Sequence, residues 1–151
     1  MPYSVNSSST AQIDYTAGTS SPANTLFHIK SAGLWNITAN IRVTNSAAQN
    51  RQTFYLTLIM YTGQNNTSTR GSLFYRYPFG TSMYIRDDAA NYDSGQMGGQ
   101  IQLILSAAQI TAGVQVEVVS FRMDSEQTGG SVPIDTATSS IMFQQIKYSV
   151  S

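Results

Sequence analysis

The chain has no cysteine and little charge of either sign. Without Cys, disulfide frameworks, thiolate nucleophiles and zinc–thiolate sites are excluded. Eight Lys and Arg residues balance eight Asp and Glu residues, which leaves no basic stripe to neutralise phosphates. No run approaches the roughly 18 apolar residues of a membrane span. We therefore expect neither a nucleic-acid partner nor membrane insertion.

Large apolar side chains are scarce in the first 24 residues. Residues 1–24 consist mainly of Ser, Thr, Gly, Ala and Asn, a composition that buries little surface. We expect a flexible arm or stalk lead-in here, partly ordered because residues 12–16 pair as an edge strand. Residues 25–151 form the expected head domain.

In the rest of the chain, apolar residues rarely recur at the spacing of a helix. They recur instead at every second position. In residues 34–44, Trp35 and Ile37 begin a row of apolar side chains that alternates with polar ones, which is typical of a half-buried strand. Residues 54–61 are apolar on both faces, so we expect both faces of that strand to be covered. Turn signals recur between such segments, and about eight to ten short strands predict an all-β antiparallel sandwich.

Some local features interrupt the strand pattern. Pro78 and Gly80 are expected to split an aromatic segment into two short strands, residues 73–77 and 82–85. Residues 87–99 are polar and predict a loop. Residues 106–112 are expected to form a single helical turn.

Three segments in order carry a resemblance to a known family. They are FHIKSAGLWNITANIRV (27–43), GQIQLILSAAQITAGVQVEV (99–118) and SSIMFQQIKY (139–148). The first places Gly33 and Trp35 where the family opens a strand with a Gly and a large aromatic residue. Together they resemble the jelly-roll heads of the tumour-necrosis-factor superfamily and, more closely, the globular head of the complement recognition subunit (complement component 1, subcomponent q). The chain departs from the family at two places. It has Ala112-Gly113 where the family usually has a Gly-Asp pair, and Gln144 where the closing strand commonly has Gly.

The resemblance implies an antiparallel jelly-roll sandwich that associates as a homotrimer. Apolar side chains on the second faces of residues 54–61 and 142–148 would then be buried by neighbouring copies, as in the apolar interfaces of obligate oligomers. The residues expected at the trimer interface are Tyr55, Ile59, Tyr61, Met142, Ile146 and Tyr148.

The sequence does not favour an enzyme. His28 is the only histidine, lies between Phe27 and Ile29 in an expected strand, and has no Gly-x-Ser-x-Gly motif to serve. We interpret it as a strand residue at the surface or an interface. Glu117 alternates with apolar neighbours and is expected to face solvent. We expect no catalytic residues.

Oxygen-bearing side chains cluster in one polar segment. Asp87, Asp88, Asn91 and Asp93 are hard-oxygen ligands of the kind that hold calcium, and they are the candidate metal site. The alternative interpretation is a solvated acidic loop partly neutralised by Arg86. No other cofactor is expected.

Aromatic residues concentrate in the middle of the chain, close to an arginine. Tyrosine and arginine are favoured at contact surfaces, and tyrosine rings stack on sugars. Alternatively, alternate members of this group belong to the core and the rest line a subunit interface. The candidate ligand-binding residues are Tyr75, Arg76, Tyr77, Tyr84 and Tyr92.

These features lead to one functional hypothesis and two alternatives. Ser, Thr, Asn and Gln supply 57 of the 151 residues, a composition common in viral, phage and bacterial surface fibres. We expect a non-enzymatic trimeric head of a fibre or spike, at a virion surface or on an extracellular or cell-surface fibre, that recognises a cell-surface glycan or protein receptor. The main alternative is a capsid, spike or decoration protein whose jelly roll serves assembly only. A cytokine-like soluble ligand is a third.

Overall fold

The computed structural model describes seven stretches of the chain. These are residues 4–5, 13–17, 25–44, 51–65, 68–86, 94–122 and 134–146. They are almost entirely β-strand, which confirms the predicted all-β class. The strands are β1 (Ser4–Val5), β2 (Ile13–Ala17), β3 (Thr25–Ile29), β4 (Gly33–Thr44), β5 (Arg51–Thr62), β6 (Ser72–Arg86), β7 (Ser94–Leu105), β8 (Val114–Arg122) and β9 (Ile134–Ile146).

The described strands form two sheets. The four-stranded sheet has the order β1-β9-β4-β7, and the five-stranded sheet has the order β2-β3-β8-β5-β6. All neighbours are antiparallel except β1 and β9, which are parallel. The predicted edge strand at residues 12–16 is confirmed as β2, which lies at one edge of the five-stranded sheet.

The core lies between the two sheets and follows the predicted alternation. In β4, Trp35 and Ile37 point into the core, and in β5, Leu58 and Met60 do the same from the other sheet. The rings of Phe27 (β3) and Phe143 (β9) lie 5.0 Å apart. Burial of each such side chain contributes about 1.5–3 kcal/mol, so this layer is the main source of stability.

Both faces of β5 are covered, as the sequence predicted. Leu56, Leu58 and Met60 are buried on the core side, while Thr57 and Ile59 are buried on the other side. The outer face of the five-stranded sheet is therefore shielded from solvent at these residues of β5.

Two predicted interruptions were wrong. Residues 73–77 and 82–85 belong to one continuous strand, β6, because Pro78 lies at a sheet edge next to a register shift, where a missing N–H is tolerated. Residues 94–99, predicted as loop, are the first half of β7. They pair with the long strand β4 from Ser94↔Thr44 to Gly99↔Ala39, so polar side chains extend the ladder.

The predicted helical turn is present as α1 (Ala107–Ala112). Ser106 caps it: the Ser106 hydroxyl accepts a hydrogen bond from the Gln109 N–H at 3.2 Å, and the Gln109 side-chain oxygen accepts one from the Ser106 N–H at 2.8 Å. Within the described ranges, no helix has the length and hydropathy needed to cross a membrane.

Candidate functional site

Among the described residues, the exposed aromatic side chains Phe74 and Tyr75 lie on β6, an outermost strand of the five-stranded sheet. In register, Tyr75 lies opposite Met60 and Tyr77 opposite Leu58, both core residues, so the two tyrosines lie on the core-facing side. Tyr77 packs against the core, whereas Tyr75 is 52% exposed. Their rings are 4.3 Å apart and tilted by 39°. The strand thus carries an aromatic pair from the core out to solvent.

Two further exposed side chains lie at the start of β6, where a register shift places Leu73 opposite Tyr61 of the outer face. Leu73 and Phe74 are about as exposed as Tyr75. Burial, and to a smaller extent the neighbouring Tyr75, raises the pKa of Tyr77. The Tyr77 phenol therefore stays protonated at neutral pH and carries a hydroxyl that can donate a hydrogen bond. We call Phe74, Tyr75 and Tyr77 of β6 the edge aromatics.

Arg76 lies on the opposite side of the same strand. It pairs with Ile59, which pairs in turn with Glu117, so these three residues form one row across the outer face of the five-stranded sheet. The structure therefore brings Tyr75 and Tyr77 together and separates Arg76 from them by the thickness of the strand. Tyr84 lies further along β6, where only the backbone is described, and Tyr92 lies outside the described residues.

A buried polar cluster on the same outer face fixes the chain between β5 and β6. The Glu117 carboxylate, 1% exposed, accepts hydrogen bonds from Arg70 at 2.7 and 2.8 Å and from the Tyr61 hydroxyl at 3.0 Å. Gln115, fully buried, donates to the Thr69 carbonyl and accepts from the Gly71 N–H, each at 2.9 Å. We call Tyr61, Arg70, Gln115 and Glu117 the clamp.

The clamp also shifts the titration of its members. Burial first, and then Glu117, raises the pKa of Tyr61 to about 12. The hydrogen bond to Glu117 raises the pKa of Arg70. The proton therefore stays on the Tyr61 hydroxyl and the charge on Arg70, which is the arrangement a buried carboxylate needs.

Two side chains of this region were predicted wrongly. Glu117 was expected to face solvent and is buried, because the segment containing Arg70 folds back over the sheet and covers it. His28 was expected at the surface or an interface and is also buried, on the outer face of β3 opposite Gln115.

The outer face of the four-stranded sheet is uncharged over its central rows. One row consists of Ile104, Leu34 and Ile146 across β7, β4 and β9. The remaining rows are rich in amides and hydroxyls. We call this surface the amide face; its residues are Leu34, Asn36, Thr38, Asn40, Gln100, Gln102, Ile104, Ser140, Met142, Gln144 and Ile146.

The amide face has exposed apolar side chains and a buried hydrogen-bond acceptor that has no partner. Ile104, next to the end of β7, is 76% exposed, and Met142, within β9, is 41% exposed. Asn36, which lies between Gln102 and Gln144, is only 8% exposed, yet its side-chain oxygen has no hydrogen-bond partner. A buried acceptor without a donor costs about 1–3 kcal/mol.

The residues expected at the trimer interface do not form one surface. Tyr55, Ile59 and Tyr61 lie on β5 in the five-stranded sheet, while Met142 and Ile146 lie on β9 in the four-stranded sheet. Ile59 is already buried within the single chain, at 5% exposure, and Tyr61 belongs to the clamp. Tyr148 lies outside the described residues. Met142 and Ile146 are the members that share an accessible face.

The candidate calcium ligands Asp87, Asp88, Asn91 and Asp93 lie outside the described residues. In the part of the chain that the structure does describe, no group of His, Asp and Glu side chains is placed to hold a metal ion. The calcium site therefore stays a prediction.

Sequence reasoning missed the clamp and part of the amide face. Arg70 and Gln115 carry no local signal, since their partners are more than 40 positions away in the chain. Ile104 does carry one: in Gln100 to Leu105 it stands where alternation calls for a polar residue. An apolar residue at this otherwise polar position indicates a contact surface on the outer face of β7.

Comparison of the chain with protein-family models finds no matching family, and comparison with the curated proteins finds no matching relative. Interpretation of the site therefore rests on its geometry and chemistry.

Proposed function

We propose that the chain is a non-enzymatic, homotrimeric jelly-roll head of a fibre or surface spike that recognises a cell-surface saccharide or receptor through the edge aromatics. The observation that carries this proposal is Tyr75, which is 52% exposed on an outermost strand and has its ring 4.3 Å from that of Tyr77. Aromatic rings offer large rigid area for a sugar face, and their hydroxyls offer hydrogen bonds at its rim.

The jelly-roll part of the proposal is supported by nested strand pairing. Phe27 pairs with Val116, Trp35 with Leu103, and Leu58 with Tyr77. Each pair encloses the next along the chain, which is the pairing of one long hairpin. The nested hairpins are shared between the two sheets in alternation, as in a hairpin rolled into a sandwich.

Association of copies is supported by the amide face. Its central rows carry no Lys, Arg, Asp or Glu, so identical copies meet there without like-charge repulsion. Amide side chains both donate and accept, so the exposed Gln102 and Gln144 offer hydrogen bonds to the amides of a second copy. Burial of Ile104 and Met142 adds the apolar contribution typical of obligate interfaces.

The recognition role is tested by displaying oligosaccharides to the purified chain on an array and by binding the chain to host cells. We expect binding that is lost in Tyr75→Ala and kept in the matched variant Tyr55→Ala, since Tyr55 is on the other strand of the pair. Absence of binding to every saccharide and cell type would overturn the role. Regular particles or lattices formed by such a non-binding chain would favour the assembly-only alternative.

A further inference from the structure

The two faces of β6 carry different kinds of side chain at neighbouring positions. Tyr75 and Tyr77 lie on the core-facing side, and Arg76 lies between them in sequence on the outer side. All described neighbours of β6 in its sheet lie on one flank, toward β5. Since Tyr75 and Arg76 lie on opposite faces of β6, a ligand that contacts both extends around the other flank of the strand, which β7 of the second sheet approaches at Phe79.

The charge of Arg76 is left uncompensated by the described residues around it. The nearby carboxylate, Glu117, is buried and bonded through both oxygens to Arg70 and through one of them to Tyr61. Arg70 and Glu117 cancel each other, and within the described part of the chain no salt bridge includes Arg76. An exposed positive charge thus stands beside the edge aromatics.

Arginine and tyrosine place different demands on a ligand. A guanidinium is always charged and presents a planar fork of donors that matches carboxylate and sulfate groups. A tyrosine ring packs against the apolar face of a sugar. One ligand that satisfies both is a sugar with an anionic substituent.

We propose that the edge of β6 takes an anionic oligosaccharide, with one sugar ring against Tyr75 and a carboxylate or sulfate group of the same oligosaccharide at Arg76. The inference rests on the proposed recognition function and names its ligand class. The complementary charge distinguishes this class from neutral saccharides, which would gain nothing from Arg76.

The test measures dissociation constants of the whole chain for three matched probes by titration calorimetry. These are a neutral oligosaccharide, its carboxylated form and its sulfated form. The proteins are the wild type, Arg76→Gln, Arg76→Lys and Lys30→Gln, the last of which removes one charge from an exposed residue away from β6.

We expect at least one anionic probe to bind the wild type about tenfold or more tightly than the neutral probe, and to lose most of that advantage in Arg76→Gln. Arg76→Lys should retain part of it, since lysine keeps the charge and loses the fork. Lys30→Gln should change affinity by less than about twofold, and added salt should weaken binding of the anionic probe alone. Comparison of the carboxylated and sulfated probes identifies which group is preferred.

Two results separate the inference from the proposed function. Equal affinity for neutral and anionic probes, with dependence on Tyr75 kept, would overturn the anionic ligand class and leave saccharide recognition standing. No binding of any probe to the wild type would overturn both.

Discussion

Arg70 and Glu117 form a two-point ion pair, with Arg70 Nη2 2.7 Å from Glu117 Oε1 and Arg70 Nε 2.8 Å from Oε2. Glu117 lies in the middle of β8, whereas Arg70 lies in the segment that joins β5 to β6. Because a buried carboxylate is costly unless it is paired, this contact holds the segment on the sheet. It also fixes the start of β6, the strand that carries the edge aromatics.

Removal of one partner of this pair should destabilise the fold strongly. Arg70→Met removes both Arg70 hydrogen bonds and the opposite charge from the buried Glu117 carboxylate, and we expect the free energy of unfolding to fall by about 3 kcal/mol. The double variant Arg70→Met with Glu117→Leu should lose less than the sum of the losses of the single variants Arg70→Met and Glu117→Leu, because no unpaired charge remains. Urea denaturation of the four proteins measures both effects, and strictly additive losses would contradict a coupled pair.

Tyr61 should make stability depend on alkaline pH. Its pKa in the folded chain is about 12, against about 10 in an unfolded chain. The folded state therefore holds this proton more tightly. Its contribution is fully present below about pH 10 and is lost as the pH rises to about 12.

The matched variant for this prediction is Tyr61→Phe, which lacks the titrating hydroxyl. Near neutral pH it should be less stable by about 1 kcal/mol, since one hydrogen bond to Glu117 is lost. Between about pH 10 and 12 the free energy of unfolding should fall more steeply for the wild type than for the variant. Parallel curves over that window would show that Tyr61 does not titrate as described.

Gly113 and Gly63 have similar positive φ angles but differ in how closely neighbouring atoms approach them. Their φ angles are +95° and +88°, which L side chains rarely adopt. A Cβ at Gly113 would lie 2.4 Å from the Gln64 carbonyl oxygen, whereas one at Gly63 would meet nothing within 4 Å.

Both alanine variants should therefore lose stability, but unequally. Gly63→Ala should cost about 1–2 kcal/mol from backbone strain alone. Gly113→Ala should cost clearly more, because it also displaces residues 64 and 65 and lengthens the hydrogen bond from the Gly63 N–H to the Gly113 carbonyl. Thermal denaturation compares the two variants. Equal losses of stability would contradict the prediction, because they would show that the residues around Gly113 move aside without a free-energy penalty.

Tyr75 and Tyr77 should differ in what they support. Tyr75→Ala should weaken saccharide binding by about tenfold or more and change the free energy of unfolding by less than about 0.5 kcal/mol, because its ring is largely exposed. Tyr77→Ala should also lower the free energy of unfolding, by about 2 kcal/mol, because its ring packs on the core. Calorimetric titration and urea denaturation of each variant distinguish the two roles.

The alternation of side chains was enough to predict the sandwich and much of its core. Trp35, Ile37 and Ile41 lie on the buried face as their spacing predicted, and the turn at residues 106–112 was correctly placed. Alternation failed where it was interrupted: Pro78 suggested a break that an edge strand does not require.

The candidate site was only partly predictable for a different physical reason. Alternation assigns Glu117 to a face, but it does not say what covers that face; the cover comes from Arg70, 47 positions earlier. Alternation does show that Tyr75 and Arg76, as consecutive strand residues, point to opposite sides of the sheet. Their closeness in sequence hides this separation. Met142 and Ile59 likewise belong to different sheets, which only the strand order reveals.

The mass of the protein in solution tests the central claim, association of copies through the amide face, most directly. In sedimentation velocity we predict a species of three times the 16.4 kDa chain for the wild type and for Ala108→Lys, an exposed control on α1. Ile104→Lys should sediment as a single folded chain with an unchanged far-ultraviolet spectrum. A wild type that sediments as a monomer, or an Ile104→Lys variant that remains trimeric, would contradict it.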